Sequence, residues 1–469
     1  MTNTVVSGTN LSPEQAGRFA GGRLALRGTR DIRAVVVDSR QVEEGSLFVA
    51  LPGQRVDGHD FIPQAFERGA AAVMSSAAHW NKRREQLQGL LGSGRSVSVI
   101  VVEDTLGGLQ KLAKAHLRQF PECLRVGVTG SNGKTTTKEI LGSIIGLDRR
   151  TVTSEGNLNS EIGLPLSCVR VQAEHRAAVF EMGINHMGEM EVLADIFRPD
   201  IAVITNIGTA HIGLLGSLEA IAREKKKIFD YFDGSQKAFI SESEDYQDLL
   251  TEGVPGRIVH FGPKRTKGFE GSEDLGLDGT IIHWEGLRIR FPLFGVHNLR
   301  NALASISVSA ELGISKENIK EGLETVRPLF GRSQIIRGPV TVIQDCYNAN
   351  PDSFRQVFAF LCSLPWPGRK IAVLGAMKEL GEQSAEAHRR LGGYAADCDF
   401  QGLFLFGEEM EQAYLEIQGR AYKGAAYWMT DIESLRSDLH SYLREGDLLL
   451  IKGSRAARLE RLMPELAER

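Results

Sequence analysis

No apolar run in this chain approaches the roughly 20 residues that a bilayer-spanning helix needs, so membrane insertion is not expected. Cysteine is scarce. The five, Cys123, Cys168, Cys346, Cys362 and Cys398, are scattered and never spaced C-x-x-C, which argues against a disulfide framework or a thiolate zinc site. Reduced, mostly buried thiols are the expectation. An excess of one charge is also lacking: 55 Lys and Arg stand against 59 Asp and Glu, a formal net charge of −4. Nothing electrostatic therefore calls for nucleic acid as a partner, although a local site can oppose the overall sign and hold a small anion. There is no repeat of fixed period and no low-complexity tract, which sets aside solenoids and disordered arms. The first residues, MTNTVVSGTNLSPEQ, lack the basic start and apolar stretch of a secretory signal, so a cytoplasmic protein is expected.

What is present reads as a globular α/β protein. The chain has 469 residues, 42% of them hydrophobic and 24% charged, and at roughly 150 residues per domain this length suggests three domains. From about Asp31 to Val102 short strands (Ala34–Val37, Ser46–Leu51, Val97–Val102) and a helix near Pro63–Arg68 form a small α/β unit. From Leu106 to Leu329 strands at Arg125–Thr129, Ala177–Phe180 and Ile201–Thr205 alternate with helices after Gly133, after Met187 and over Leu218–Phe232, which calls for a mainly parallel sheet. The pattern at Thr280–Phe294 predicts an antiparallel hairpin on that sheet's edge, and helices at Asn298–Leu312 and Lys316–Val326 close the unit. A linker falls at Arg327-Pro328-Leu329-Phe330-Gly331. Beyond it, buried strands at Val340–Asp345, Ile371–Leu374, Leu403–Phe406 and Leu448–Ile451 predict a second doubly wound, Rossmann-like sheet. The expected divisions are 1–104, 105–328 and 329–469.

Thr129-Gly130-Ser131-Asn132-Gly133-Lys134-Thr135-Thr136 lies between a strand and a helix, the setting of a phosphate-binding loop. Glycines let backbone N–H groups converge on phosphate oxygens, Lys134 can span the terminal phosphates, and the Thr135 hydroxyl is a Mg²⁺ ligand type. The strict G-x-x-x-x-G-K-[ST] pattern would need glycine at 128, where this chain has Val128; the extra glycine is Gly130. Kinase, GTPase and ligase all stay open on this loop alone.

Glu181 and His211 follow buried strands at the end where ligands of open α/β sheets gather. Taken singly, Glu181 could equally be a solvated carboxylate, and His211 reads more simply as a hydrogen-bonded structural histidine. Lys225 lies on the apolar stripe of its helix with Leu218, Ile221, Ala222, Ile228, Phe229 and Phe232, whereas Arg223, Glu224, Lys226 and Lys227 fall on a face expected to be solvated. An inward lysine either snorkels to water or loses its charge, and a neutral amine can react with CO₂ to form a carbamate.

These motifs, in this order, resemble those of the Mur ligase family: TGSNGKTT, Asn157-Leu158-Asn159-Ser160-Glu161-Ile162-Gly163, Glu181-Met182-Gly183, Thr205-Asn206 through His211, Lys225, and Gly295-Val296-His297-Asn298-Leu299-Arg300-Asn301. The resemblance covers nearly the whole chain. It implies ATP-dependent amide ligation with Mg²⁺ at two sites, Thr135 and Glu181 as ligands of one, His211 at the second, and Lys225 as a carbamate. Gly130, Ser131, Asn132, Gly133, Lys134, Thr135, Thr136, Asn298, Asn301, Arg332 and Asp345 are then expected at ATP, and Lys134, Lys225, His211 and Glu181 are the expected catalytic set. The segment Asp345-Cys346-Tyr347-Asn348-Ala349-Asn350-Pro351-Asp352-Ser353 looks like that of the family member that joins D-Ala-D-Ala to UDP-MurNAc-tripeptide; the alternatives are another Mur-type ligase or one like folylpolyglutamate synthase. On that resemblance Ser39, Arg40, Asp57, His59, Asn159, Tyr347, Asn348, Asn350, Ser454 and Arg455 are expected at the substrates. Ala376 stands where the resemblance leads one to expect Asp, and takes no role. The two substrates are the expected partners of a monomeric chain.

Overall fold

The computed structural model describes residues 7–53, 55–91 and 96–463; the start of the N-terminal segment lies outside them. It is built on three six-stranded sheets, each covered by helices. In the first, Ile32–Val36, Ser46–Val49, Ala72–Ser76 and Ser98–Val102 run parallel, and Ser7–Leu11 and Arg23–Leu26 add antiparallel edges. Every strand of the parallel core is buried on both faces, which is why it reads as a short continuous apolar run.

The second sheet is wholly parallel, in the order Arg257–Phe261, Lys237–Ser241, Ile201–Ile204, Leu124–Thr129, Ala177–Glu181, Thr151–Thr153. The chain leaves Leu124–Thr129 to build one flank of the sheet and later returns to build the other. That strand end is therefore a topological switch point, where a crevice opens. The predicted hairpin exists as Thr280–Trp284 with Leu287–Phe291, but it is not on the edge of this sheet. It joins Phe269–Asp274 in a separate three-stranded antiparallel sheet. The reason is packing: Ile282, Trp284, Ile289 and Phe291 insert into the core that holds Ile140 and Ile144 of the helix Lys134–Asp148, and Trp284 satisfies its indole N–H on Lys267 O at 2.9 Å.

The third sheet runs Gln334–Ile336, Thr341–Asp345, Leu448–Lys452, Lys370–Gly375, Gly402–Phe406, Ala425–Met429, with only the first strand antiparallel. Its helix Pro351–Ser363 starts with Asn350 as N-cap, Ser353 completing a capping box and Pro351 at the first position, so a sharp start is written into Asn-Pro-Asp-Ser. One expectation about cysteine is overturned. Cys362, near the end of that helix, and Cys398, the C-cap of Ser384–Asp397, are joined as a disulfide, because helix packing brings their Cα atoms to 5.4 Å. Cys123, Cys168 and Cys346 are free and buried.

Candidate active site

At the switch point the chain turns through Gly130 (φ 143°) and Gly133 (φ 78°), a backbone that other residues rarely adopt. Space is as restrictive as conformation: a Cβ at Gly130 would lie 1.9 Å from Thr205 Oγ1, and one at Gly133 would lie 2.4 Å from Asn301 Oδ1. Asn301 is itself held, donating through Nδ2 to Asn298 Oδ1 (3.3 Å), while Asn298 donates to Phe294 O (2.9 Å). Gly133 is the N-cap of the helix Lys134–Asp148 and offers no side-chain acceptor. Helices that start at Ser217, Ser315 and Asn350 are capped by their own side chains. The unpaired first-turn amides of this helix, with its dipole, therefore form a place for phosphate oxygens.

Ser131 and Asn132, expected at ATP, spend most of their hydrogen bonds on the loop after the strand Ile201–Ile204. The Ser131 hydroxyl donates to Gly208 O (2.9 Å) and accepts from Gly208 N–H (2.8 Å), and Asn132 O accepts from Thr205 Oγ1 at 2.6 Å. They brace the turn and, with Lys134 and Thr136, also line the cavity beyond it.

Thr135 and Glu181 meet. The Thr135 hydroxyl donates to Glu181 Oε2 at 2.6 Å, and Asn159 Nδ2 donates to Oε1 at 2.7 Å. Glu181 is the last residue of its strand and is buried, not solvated. Behind it, Glu181 N–H donates to Ser154 Oγ (3.1 Å), and the ammonium of the buried Lys138 donates to Ser154 O (2.6 Å). Asn159, expected at the substrate, thus also orients the carboxylate.

Lys225 is 1% exposed and lies behind the cavity lining. Burial drives its amine well below the ordinary lysine value; the neighbouring Lys134 ammonium pushes the same way, and Glu181 and Glu224 oppose. Lys134, which opens only onto the cavity, is lowered too, chiefly by burial. Two lysines and two carboxylates, Glu181 and Glu224, share this pocket of low dielectric. Glu224 corrects the solvated-face expectation: it is fully buried, because its Oε1 accepts the Gly188 and Met190 N–H groups at 2.9 and 3.0 Å, at the start of the helix Glu189–Phe197. Lys227 neutralises its other oxygen at 2.9 Å.

A cavity of about 1000 Å³ separates this centre from the third sheet. Arg332 stacks over the Tyr347 ring at 4.1 Å, and both side chains face the cavity, as does Asn348. Asp345, expected at ATP, lines the cavity but is already engaged: Oδ1 accepts Ser333 N–H (3.0 Å) and Oδ2 pairs with the buried Lys452 at 2.5 Å. Asn350 Nδ2 donates to Asn132 Oδ1 at 2.8 Å across the domain boundary. Asp352 Oδ2 accepts from both N–H and Oγ1 of Thr209, at 2.7 and 2.8 Å. His211 Nδ1 lies 2.6 Å from Glu379 Oε2. Sequence reasoning gave Asp352, Thr209, Lys452 and Glu379 no part here. Each acts through a partner distant in sequence, which no local pattern announces.

The N-terminal candidates are not brought to this cavity. Ser39 donates to Gln64 Oε1 (2.6 Å), Arg40 pairs with Asp38 (2.6 Å), and buried His59 donates from Nδ1 to Asp57 (2.7 Å) while Nε2 accepts Ser76 N–H. They form their own polar group on the first sheet. Ser454 and Arg455 also lie outside the lining, Arg455 paired with Glu460 at 3.0 Å.

His297 borders the cavity, and burial lowers its imidazole to about 4. His116 and His388 are lowered for the same reason. Below pH 6.5 the unfolded chain binds protons that the folded chain refuses, so stability is full above 6.5 and falls as the pH drops towards 4. For His297, with allowance for its contact with the cavity, the loss should be about 2 kcal/mol. Urea midpoints between pH 7 and 4.5 should fall less steeply in His297→Asn than in the parent, and equal slopes would remove this origin.

Among the described residues no three His, Cys, Asp or Glu side chains converge as a ready-made metal cluster. The oxygen pair Thr135 and Glu181 fits Mg²⁺ nonetheless, since that ion commonly takes one or two protein oxygens and completes its shell with water and phosphate.

A parallel-sheet domain with an uncapped phosphate loop, closed over by a second doubly wound domain, defines a nucleotide-dependent enzyme of the ligase type. The chain belongs to the Mur ligase family: residues 31–116 match the family's catalytic domain, 128–309 the Mur ligase middle domain and 331–455 the Mur ligase, glutamate ligase domain. It is 40% identical over 454 residues to the UDP-N-acetylmuramoyl-tripeptide--D-alanyl-D-alanine ligase of Treponema pallidum, covering 97% of this chain and 98% of that one. Among solved structures it is similar to MurF from Acinetobacter baumannii (TM-score 0.86, 29% identity, 98% and 99% of the two chains). It is also similar to MurF ligase from Thermotoga maritima in complex with ADP (TM-score 0.76, 31% identity, 92% and 96%).

Proposed function

We propose that this chain joins D-alanyl-D-alanine to UDP-N-acetylmuramoyl-tripeptide with ATP, giving the pentapeptide, ADP and phosphate. The observation that carries the reading is one cavity with two unlike walls: the uncapped loop Gly133–Thr136 on one side, and Arg332, Tyr347 and Asn348 of the C-terminal domain on the other. The full-length similarity to D-alanyl-D-alanine ligases supports the substrate pair. It also disfavours a folylpolyglutamate synthase-like reading, as does the match of residues 31–116 to a Mur ligase domain.

The tripeptide carboxylate attacks the γ-phosphorus of ATP, forming an acyl phosphate and releasing ADP. The dipeptide amine then attacks the acyl carbon, phosphate leaves, and the amine's proton is released. Lys134 and the first-turn amides of its helix counter the charge that builds on the transferring phosphoryl oxygens. Thr135 and Glu181 would hold Mg²⁺, which when bound supplies further neutralisation at the phosphates, and His211 would serve a second ion. The neutral amine of Lys225 would add CO₂ with loss of a proton, which would put a carbamate anion within electrostatic reach of Lys134 and Glu181. Docking of the C-terminal domain excludes water, to which an acyl phosphate is vulnerable. In this reading residues 1–104 bind the UDP-sugar through Ser39, Arg40, Asp57 and His59, 105–328 bind ATP, and 329–469 deliver the dipeptide with Asn350, Ser454 and Arg455. The enzyme works as a cytoplasmic monomer.

Phosphate release from ATP should require both UDP-MurNAc-tripeptide and D-Ala-D-Ala, with the pentapeptide product seen by mass. Release that ignores the dipeptide, or no pentapeptide, would sink the assignment.

A further inference from the structure

The contact between His211 and Glu379 joins two domains at a point where neither backbone is relaxed. His211 (φ 62°) and Glu379 (φ 64°) both occupy the left-handed region, which residues other than glycine adopt at a cost unless the surroundings hold them. What holds them is mutual. Gly213 N–H donates to Glu379 O at 2.9 Å, and a Cβ at Gly213 would lie 2.3 Å from Gly381 N, so only glycine lets the two loops meet this closely. On its own domain the Glu379 loop is pegged by buried His388, whose Nε2 accepts Met377 N–H (3.0 Å) and whose Nδ1 donates to Ser384 O (2.7 Å). Lys378 pairs with Glu409 on the far side. The carboxylate is thus presented on a rigid mount. It approaches His211 Nδ1 to 2.6 Å.

We infer that Glu379 is a positioning residue which the C-terminal domain lends to His211, so that docking of that domain fixes the orientation of a side chain in the nucleotide-binding domain. The inference rests on the ligase reading for its kinetic consequence, but not for its geometry. A carboxylate pressed close to one imidazole nitrogen restricts how the ring can turn and leaves Nε2 for the cavity, which His211 lines. Closure then does more than shut out water: until Glu379 arrives, the His211 ring is free to turn, and the centre is incomplete.

The test combines a double-mutant cycle with a measurement that needs no turnover. Glu379→Gln keeps the shape and removes the charge. It should lower kcat about 10-fold, leave the KM for ATP within about twofold, and cost less than about twofold when introduced into His211→Ala. A side chain that merely stabilises its loop would cost the same in both backgrounds, and additive losses would overturn the inference. In the second arm, dyes on the central and C-terminal domains of the full chain report closure when ADP is added. Glu379→Gln and His211→Ala should each cut the ADP-dependent distance change to about half, and an unchanged response in both would equally overturn it. Because this arm uses ADP alone, it judges the strut even if the acceptor substrates prove to be others.

Discussion

Lys225→Ala should lower ligation at least about 1000-fold while nucleotide affinity changes little. The size of the effect follows from where the side chain lies. Its amine is fully enclosed, stripped of its usual proton affinity by burial, and within electrostatic reach of Lys134 and Glu181. A group so placed contributes to the centre's charge balance in a medium where one charge counts for several kcal/mol of transition-state stabilisation, and about 4 kcal/mol corresponds to that loss. Truncation leaves a void next to the carboxylate, so acetate or propionate at tens of millimolar should restore part of the activity if a carbamate is the working form. Lys225→Met, which keeps the volume, should melt close to the parent and be just as inactive. Turnover within a factor of ten of the parent in either variant would remove Lys225 from the mechanism.

Lys134→Ala should be nearly as damaging, about 1000-fold in kcat, with a weaker hold on ATP as well. Lys134 donates to Gly130 O (3.0 Å) and approaches Ser131 O (3.4 Å), so its ammonium sits over the mouth of the loop, at the head of a helix whose first amides point the same way. Removal takes away the one full positive charge in that array, and loss of a single preorganised donor commonly costs 100- to 1000-fold. Lys134→Arg should not rescue, because a planar fork does not fit where a compact ammonium turns between two carbonyls. Melting temperature should stay near the parent's, since the side chain closes no core. Single-turnover phosphate release separates the chemical step from binding, and an unimpaired burst in Lys134→Ala would contradict this role.

Strands and helices were legible in the sequence where burial is two-sided or periodic. Val126-Gly127-Val128, Ala177–Phe180 and Leu448–Ile451 read as parallel strands because both faces are covered. The edges were not. Arg23–Leu26, Gln334–Ile336 and Ala425–Met429 are half-exposed and carry mixed residues, and their pairing is decided by the neighbouring strand. Glu224 shows the limit of helical periodicity. Counting apolar residues put it on the wet side, whereas the uncapped start of another helix drew it inward. At the site, Gly133, Lys134, Thr135 and Glu181 could be placed from strand ends alone, since strand-loop-helix order fixes where such residues emerge. The partners across the domain boundary could not. Asp352 with Thr209, and Glu379 with His211, are separated by well over a hundred residues, and neither member carries a local signature beyond a helix start or a loop.

Asn350 does two things with one amide. Its oxygen caps a helix by accepting Ser353 N–H at 2.8 Å, and its nitrogen reaches the phosphate loop. The cap persists whether or not the domains touch, so parting them there gives up only the second bond. Together with the Thr209–Asp352 and Gly213–Glu379 contacts, the latch consists of a few hydrogen bonds of about 1 kcal/mol each, a few kcal/mol in all. These bonds are set against the cost of ordering two domains on one another, so the shut form is held shallowly and can release spontaneously on the timescale of domain motion. A grip of this strength suits a machine that must shut once and open once in every catalytic cycle.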